Sequence, residues 1–150
     1  MFEIELKNPD VMLIREKNNE VAIDLANSAI DAGLEVGKIE GAGEFEIGDM
    51  QIVAVALKES KGVLYRIKID DIRIGLVDGR AKSEDLDELG PVDILGSTEA
   101  KFVPMVEPKI VVPMGNMDFA ELKGEVKAEK RLKIKNASAI PQIMEIWRLG

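Results

Sequence analysis

The sequence predicts an α/β domain with a strand-rich core. Short apolar runs recur along the chain, and turns containing glycine or aspartate separate them. Two further segments carry residues that typically start and stop helices. The length of 150 residues corresponds to a single domain over residues 1–150.

The first two elements are predicted strands. Residues 2–6, FEIEL, alternate apolar and acidic side chains, which is typical of a half-buried strand. Residues 11–14, VMLI, are continuously apolar, which predicts a strand covered on both faces.

Residues 19–33 favour a helix that starts at Asn19 and stops at Gly33. Its apolar positions at helical spacing are Val21, Leu25 and Ala29. The alternative is a hairpin around Asn18 and Asn19 that continues as a strand.

The middle of the chain is predicted to be rich in strands. Residues 34–57 indicate strands separated by glycines, with a tight turn at Gly48 and Asp49. The clearest hairpin joins residues 63–69 to residues 72–77 through Asp70 and Asp71.

A short helix is predicted at residues 83–90, with Ser83 as its N-cap, Leu86 and Leu89 facing inward, and Gly90 at its end. The strands expected after it are two buried ones followed by two alternating ones near an edge, at residues 92–95, 109–114, 131–135 and 143–149.

Composition excludes several classes of function. The chain has no histidine and no cysteine, so thiolate zinc sites, a cysteine nucleophile and the commonest general base are absent. Carboxylate and carbonyl oxygens remain, and they suit Mg²⁺ or Ca²⁺. Because the ligands that zinc prefers are missing, we expect no metal and no cofactor.

Charge and hydropathy indicate a cytoplasmic, soluble protein. Residues 1–100 contain 11 Lys/Arg and 22 Asp/Glu, a balance of −11, whereas residues 101–150 contain 9 and 6, a balance of +3. The acidic bulk argues against a nucleic-acid partner. No apolar run approaches the roughly 18 residues of a membrane span, and the acidic N-terminus is not a secretory signal.

Four segments together resemble one family. They are GAGEFEIGDMQIVAV, IKIDDIRIGLVDG, SEDLDELGPVDIL and VEPKIVVPMGN, covering about residues 40–116. They are similar to segments of small metallo-β-lactamase-fold hydrolases, the group of zinc-dependent hydrolases related to ascorbate lactonases. The resemblance implies a shortened αβ/βα sandwich with two to three helices.

The resemblance also implies a dinuclear metal site, from which this sequence departs. Family members carry a His-x-His-x-Asp-His loop after a buried strand, where imidazoles and a carboxylate activate water. If residues 11–15 are that strand, the loop position is held by residues 16–21. The family histidine after Pro-Met is Gly115, and Asp78 alone matches a ligand, the bridging aspartate. The expected vestigial site comprises Glu16, Asn18, Glu20, Asp78, Gly115 and Asn116.

Other side chains of this region have alternative interpretations. Asp78 is either a relict ligand or a turn residue that accepts a hydrogen bond from its own backbone. Arg80 is either an anion-binding residue or an ordinary surface arginine. Ser97 and Thr98 follow a buried strand, but no histidine is available to activate a hydroxyl nucleophile.

We therefore expect a catalytically inactive relative that acts as an interaction or structural module, with a homo-oligomer or another protein as partner. The alternatives are an atypical hydrolase with a metal at Asp78 and a small-ligand sensor. The expected homodimer interface uses apolar residues of the first strand or nearby methionines, namely Phe2, Ile4, Leu6, Met105, Met114 and Met117. The alternative is a compact monomer in which the helix at residues 20–32 covers the apolar surface that a shortened first sheet would leave open.

Overall fold

The computed structural model describes residues 1–33 and 37–150, and two β-sheets dominate it. The strands are β1 (Phe2–Asn8), β2 (Val11–Glu16), β3 (Asn19–Asp24), β4 (Ala29–Asp31), β5 (Lys38–Glu40), β6 (Gly43–Ile47), β7 (Met50–Ala56), β8 (Val63–Ile69), β9 (Ile72–Val77), β10 (Ile94–Ser97), β11 (Ile110–Pro113), β12 (Glu125–Glu129), β13 (Arg131–Ile134) and β14 (Glu145–Leu149). The helical elements are α1 (Val103–Val106) and the 3₁₀ turns Asp85–Leu89, Ala100–Phe102 and Ala137–Ala139.

The first sheet has six antiparallel strands in the order β13-β1-β2-β3-β4-β5. The second has eight strands in the order β12-β14-β11-β10-β9-β8-β7-β6. Its β6 to β9 half is antiparallel, whereas β9, β10, β11, β14 and β12 run parallel.

Two hydrophobic clusters hold the sheets. The larger one lies between the sheets, where inward-facing side chains such as Ile14, Ile23, Ile52 and Ile67 are almost fully buried. The smaller one packs α1 and the 3₁₀ turns Asp85–Leu89 and Ala100–Phe102 onto the outer face of the eight-stranded sheet and includes Phe102. The chain is therefore a layered sandwich, as the sequence predicts.

The prediction of a helix at residues 19–33 is wrong. This segment forms β3 and β4, and the alternative hairpin is correct, with Lys17 at φ 54° in its turn. Val21 and Ile23 alternate with more exposed neighbours, and both lie in the core between the sheets. That period of two determines the structure, because it buries one face of a strand.

The helix predicted at residues 83–90 is a shorter 3₁₀ turn, Asp85–Leu89. Ser83 is not its N-cap, because the preceding residue is Glu84 and no side chain caps the turn. Instead, the buried Asp85 carboxylate accepts hydrogen bonds from the backbone N–H groups of Lys58 and Lys82, at 2.9 and 2.7 Å. The described helical content is thus one short α-helix and three 3₁₀ turns, less than the two to three helices expected.

Several strand predictions are confirmed. The hairpin of β8 and β9 turns at Asp70, which has φ 54°, and the hairpin of β6 and β7 turns at Gly48, which has φ 59°. Residues 34–36, at the start of the predicted strand region 34–57, lie outside the described residues.

Near the end of the chain, β13 is an edge strand as expected, but β14 lies one position inside the sheet edge. The edge strand there is β12, which the sequence does not predict. In the part of the chain that the structure describes, no helix is long and apolar enough to cross a membrane.

Candidate functional site

The carboxyl ends of β9, β10 and β11 meet at one edge of the eight-stranded sheet, because parallel strands end on the same side. Backbone hydrogen bonds tie the segments that follow them together. Thr98 donates to Val77 O at 3.3 Å, and Met114 donates to Ser97 O at 2.9 Å. The N–H of Gly79 donates to Thr98 Oγ1 at 3.1 Å. Residues 78–80, 97–99 and 114–116 therefore form a connected rim.

The six-stranded sheet closes this rim with two of its turns. The N–H of Gly115 donates to Pro9 O at 2.8 Å, which attaches the β1–β2 turn. The N–H of Leu25 donates to Asp10 O at 3.0 Å, which attaches the β3–β4 turn to the β1–β2 turn. The candidate site thus lies where the two sheets meet at one end.

The centre of the rim is an ion pair between Asp78 and Arg80. The Arg80 guanidinium donates from Nη2 to Asp78 Oδ2 at 2.7 Å and from Nε to Asp78 Oδ1 at 3.1 Å. The Arg80 N–H also donates to Oδ1 at 3.0 Å, which closes the predicted Asp-Gly turn. Nη2 donates further to Leu25 O at 2.8 Å. Both carboxylate oxygens are therefore occupied.

This pair is partly shielded from water. The Asp78 side chain is 13% exposed and that of Arg80 is 36% exposed. The hydrogen bond to Asp78 raises the pKa of Arg80, against the opposing effect of desolvation. Arg80 is therefore a structural partner of Asp78 through Nε and Nη2.

Ser97 and Thr98 also have structural roles. Ser97 is fully buried, and its hydroxyl donates to Glu99 O at 2.9 Å and accepts from Glu99 N at 3.0 Å. Thr98 Oγ1 accepts the Gly79 N–H. Within the described residues, neither hydroxyl donates a hydrogen bond to a carboxylate or a lysine.

Gly115 and Asn116 end the rim on the β11 side. Gly115 has φ 59°, a left-handed conformation that disfavours other residues, and a Cβ there would lie 3.1 Å from Thr98 Cγ2. Asn116 is exposed. An open groove of about 440 Å³ borders Gly115 and is lined mainly by Leu6, Lys7, Pro9, Met117, Phe119 and Arg148.

Glu16, Asn18 and Glu20 lie at the opposite end of the molecule, which corrects their expected position beside Asp78. The turn between β2 and β3 contacts the β6–β7 turn, where Lys17 Nζ lies 2.6 Å from Asp49 Oδ2. Asp78 follows the far end of β9, and a strand of that length spans roughly 20 Å. The first sheet therefore does not bring these residues to the rim.

Glu16 and Glu20 have different surroundings at that end. Glu16 is 3% exposed, and its Oε1 has no hydrogen-bond partner in the described residues. Glu20 accepts from Arg15 at 2.9 Å. Both therefore belong to the packing of the β2–β3 hairpin.

The residues expected at an interface are mostly internal. Phe2, Ile4 and Met114 are almost fully buried, Met117 is 8% exposed, and Leu6 packs against the core. Strand β1 has β13 on one side and β2 on the other, so it offers no open edge. Met105 alone among these six residues is largely exposed, at 57%. This corrects the expected location of an interface.

Sequence reasoning missed Tyr65, which lies in the core between the sheets. Its hydroxyl is buried and has no hydrogen-bond partner in the described part of the chain. Burial raises the pKa of Tyr65, because the phenolate would be poorly solvated, and nearby Asp24 raises it further. Its inward position in the alternating run VLYRIKI was the available signal.

Among residues 1–33 and 37–150, no group of three or more acidic side chains is placed to hold a metal ion. The chain has no histidine or cysteine to complete such a group. With both Asp78 oxygens bound by Arg80, the residues at the rim do not fit a dinuclear zinc centre.

One comparison with known proteins identifies the fold. The structure is similar to the crystal structure of a Thermotoga maritima protein assigned as a Zn-dependent hydrolase of the metallo-β-lactamase superfamily. The TM-score is 0.70 at 12% sequence identity, over 99% of this chain and 98% of that chain. The chain therefore has a metallo-β-lactamase-like fold, and the coverage gives no support to the expected shortening. No protein-family model matches the sequence, and no curated protein matches it.

Proposed function

We propose that this chain is a metallo-β-lactamase-fold protein without metal-dependent hydrolase activity, which acts as an interaction or structural module and self-associates. The observation that carries the proposal is the Asp78–Arg80 pair. The one carboxylate that matches a family ligand has a guanidinium on both oxygens, at 2.7 and 3.1 Å. A cation at Asp78 would compete with the Arg80 guanidinium for these oxygens.

The side chains available as metal ligands support the same proposal. Imidazole and thiolate are the ligands that zinc prefers, and neither is present in the sequence. An atypical hydrolase using a hard metal at Asp78 would need further oxygen ligands around it. The rim hydroxyls instead form hydrogen bonds within the protein: the Ser97 hydroxyl donates to Glu99 O, and Thr98 Oγ1 accepts from the N–H of Gly79.

The test is a thermal melt with added zinc, manganese or magnesium, and with a chelator. A metal that binds the folded state and not the unfolded state raises Tm, and the increase grows with the logarithm of its concentration above Kd. We expect Tm to stay constant in every condition. A metal-dependent increase that Asp78→Asn abolishes would contradict the proposal and favour the hydrolase.

The groove beside Gly115 favours a second candidate function, a small-ligand sensor. Its volume of about 440 Å³ is in the range of ligand sites, and Lys7 and Arg148 flank apolar walls. Ligand-induced changes in Tm across a set of small organic anions would identify this function. A Phe119→Ala variant that loses the shift would place the ligand in this groove.

A further inference from the structure

Part of the outer face of strands β6 to β8 is uncovered. On the parallel half of the same sheet, α1 and the 3₁₀ turns Asp85–Leu89 and Ala100–Phe102 cover the outer face through the smaller hydrophobic cluster. On the antiparallel half, Leu64 and Val77 are buried in the same cluster, whereas Val53 is half-buried and five charged or polar side chains around it are exposed. We call this surface the β6–β9 face, defined by Glu44, Glu46, Gln51, Val53, Arg66 and Lys68.

The strand register arranges these six residues in two parallel rows. Glu44 pairs with Val53, which pairs with Arg66. Glu46 pairs with Gln51, which pairs with Lys68. Directly opposed residues of neighbouring strands share a face, so each row runs from an acid on β6, through an uncharged residue on β7, to a base on β8.

The charges of these rows have no ionic partners within the described residues. None of Glu44, Glu46, Arg66 and Lys68 forms a salt bridge there. Arg66 donates only to a main-chain carbonyl, Glu88 O, at 2.9 Å. Lys68 also lies opposite Arg73, a like-charged cross-strand pair that is unfavourable without a counter-charge.

We propose that the β6–β9 face is a homodimer interface with a two-fold axis along β7. Rotation about an axis parallel to the strands exchanges the β6 and β8 positions and preserves each row. Glu44 then faces Arg66 of the second copy, and Glu46 faces Lys68 of the second copy. Val53 and Gln51 meet their own counterparts on the axis. The surface is thus complementary to itself, as a two-fold interface requires.

This inference rests on the proposed self-association and gives it a location. Charge complementarity fixes orientation and association rate more than affinity. The two rows cross three strands about 4.8 Å apart and are separated by about 7 Å along the strands, which is small for a specific interface. We therefore expect a weak dimer that dissociates at high salt.

Paired charge reversals test the arrangement. The first variant, Glu44→Lys with Glu46→Lys, makes the ends of both rows basic. The second, Arg66→Glu with Lys68→Glu, makes them acidic. Sedimentation equilibrium at sub-millimolar concentration and low salt should show a wild-type dimer and two monomeric variants, and an equimolar mixture of the variants should dimerise.

The control reverses two exposed acids away from the face, Glu59→Lys with Glu121→Lys, and it should dimerise like the wild type. Circular dichroism confirms that each variant is folded. If both charge-reversal variants dimerise like the wild type, the interface lies elsewhere, and the proposed self-association still holds. A mixture that stays monomeric would overturn the pairing, and a monomeric wild type would overturn both ideas. Metal binding tests the absence of hydrolase activity separately.

Discussion

Arg80 and Asp78 form a bidentate ion pair at the carboxyl edge of the parallel strands, with Nη2 to Oδ2 at 2.7 Å. Through Leu25 O, the same guanidinium reaches the β3–β4 turn of the other sheet at 2.8 Å. The pair therefore connects the two sheets at the rim that forms the candidate functional site.

Asp78→Asn should destabilise the fold by about 1–2 kcal/mol, because it weakens charge-assisted hydrogen bonds to a partly exposed arginine. Urea unfolding measures the change. The matched control is Asp118→Asn, since Asp118 accepts, among the described residues, only a backbone N–H, from Ala120 at 3.0 Å. An equal loss in both variants would mean that Arg80 contributes nothing beyond the turn.

Tyr65→Phe should leave stability unchanged or raise it by about 1 kcal/mol. The hydroxyl is buried without a partner in the described residues, so removing it relieves an unsatisfied polar group and leaves the ring in place. Thermal and urea unfolding both report the change. A loss of 1 kcal/mol or more would show that the hydroxyl has a partner, such as a buried water.

Gly115→Ala should cost more stability than Gly41→Ala. Both glycines have positive φ, at 59° and 78°, so both variants carry backbone strain. At Gly115 the new Cβ would press on Thr98 Cγ2 at 3.1 Å, whereas at Gly41 no atom of the described residues lies within 4 Å. Equal changes in unfolding free energy would show that Thr98 yields freely.

Glu5 should make stability depend on pH. The hydrogen bond from Arg15 lowers the pKa of Glu5 below its ordinary value of 4.5, and Arg131 adds to this. Its contribution is therefore full above that value and is lost as pH falls through the lower folded pKa.

Glu5→Gln should accordingly cost about 1 kcal/mol at neutral pH. The difference from the wild type should vanish in acid, where both side chains are neutral. Glu59→Gln serves as the control, because Glu59 is exposed and has no salt bridge in the described part of the chain. A difference that persists at low pH would indicate lost packing.

Local signals predicted much of the fold. The β8–β9 hairpin followed from alternation on both sides of Asp70 and Asp71. In residues 19–33, the alanines and Gly33 suggested a helix. The segment instead forms β3 and β4, because Val21 and Ile23, two positions apart, are both buried on one face of a strand. Tertiary burial outweighed helix propensity there.

Elements that depend on distant partners could not be predicted. Strand β12, EVKAE, lacks an apolar face and is held at the edge by β14, with Lys127 Nζ 3.1 Å from Glu145. At the site, Asp78 was correctly identified as a possible turn residue. The contact of Arg80 with Leu25 joins residues 55 positions apart, which no local pattern encodes.

The metal content of the purified protein tests the central claim most directly. Elemental analysis after purification without a chelator measures zinc, manganese and iron per chain. The Asp78–Arg80 pair and the lack of histidine and cysteine predict that none is present in stoichiometric amount. The account would be contradicted if the wild type contained one or more equivalents of zinc or manganese and the Asp78→Asn variant contained none.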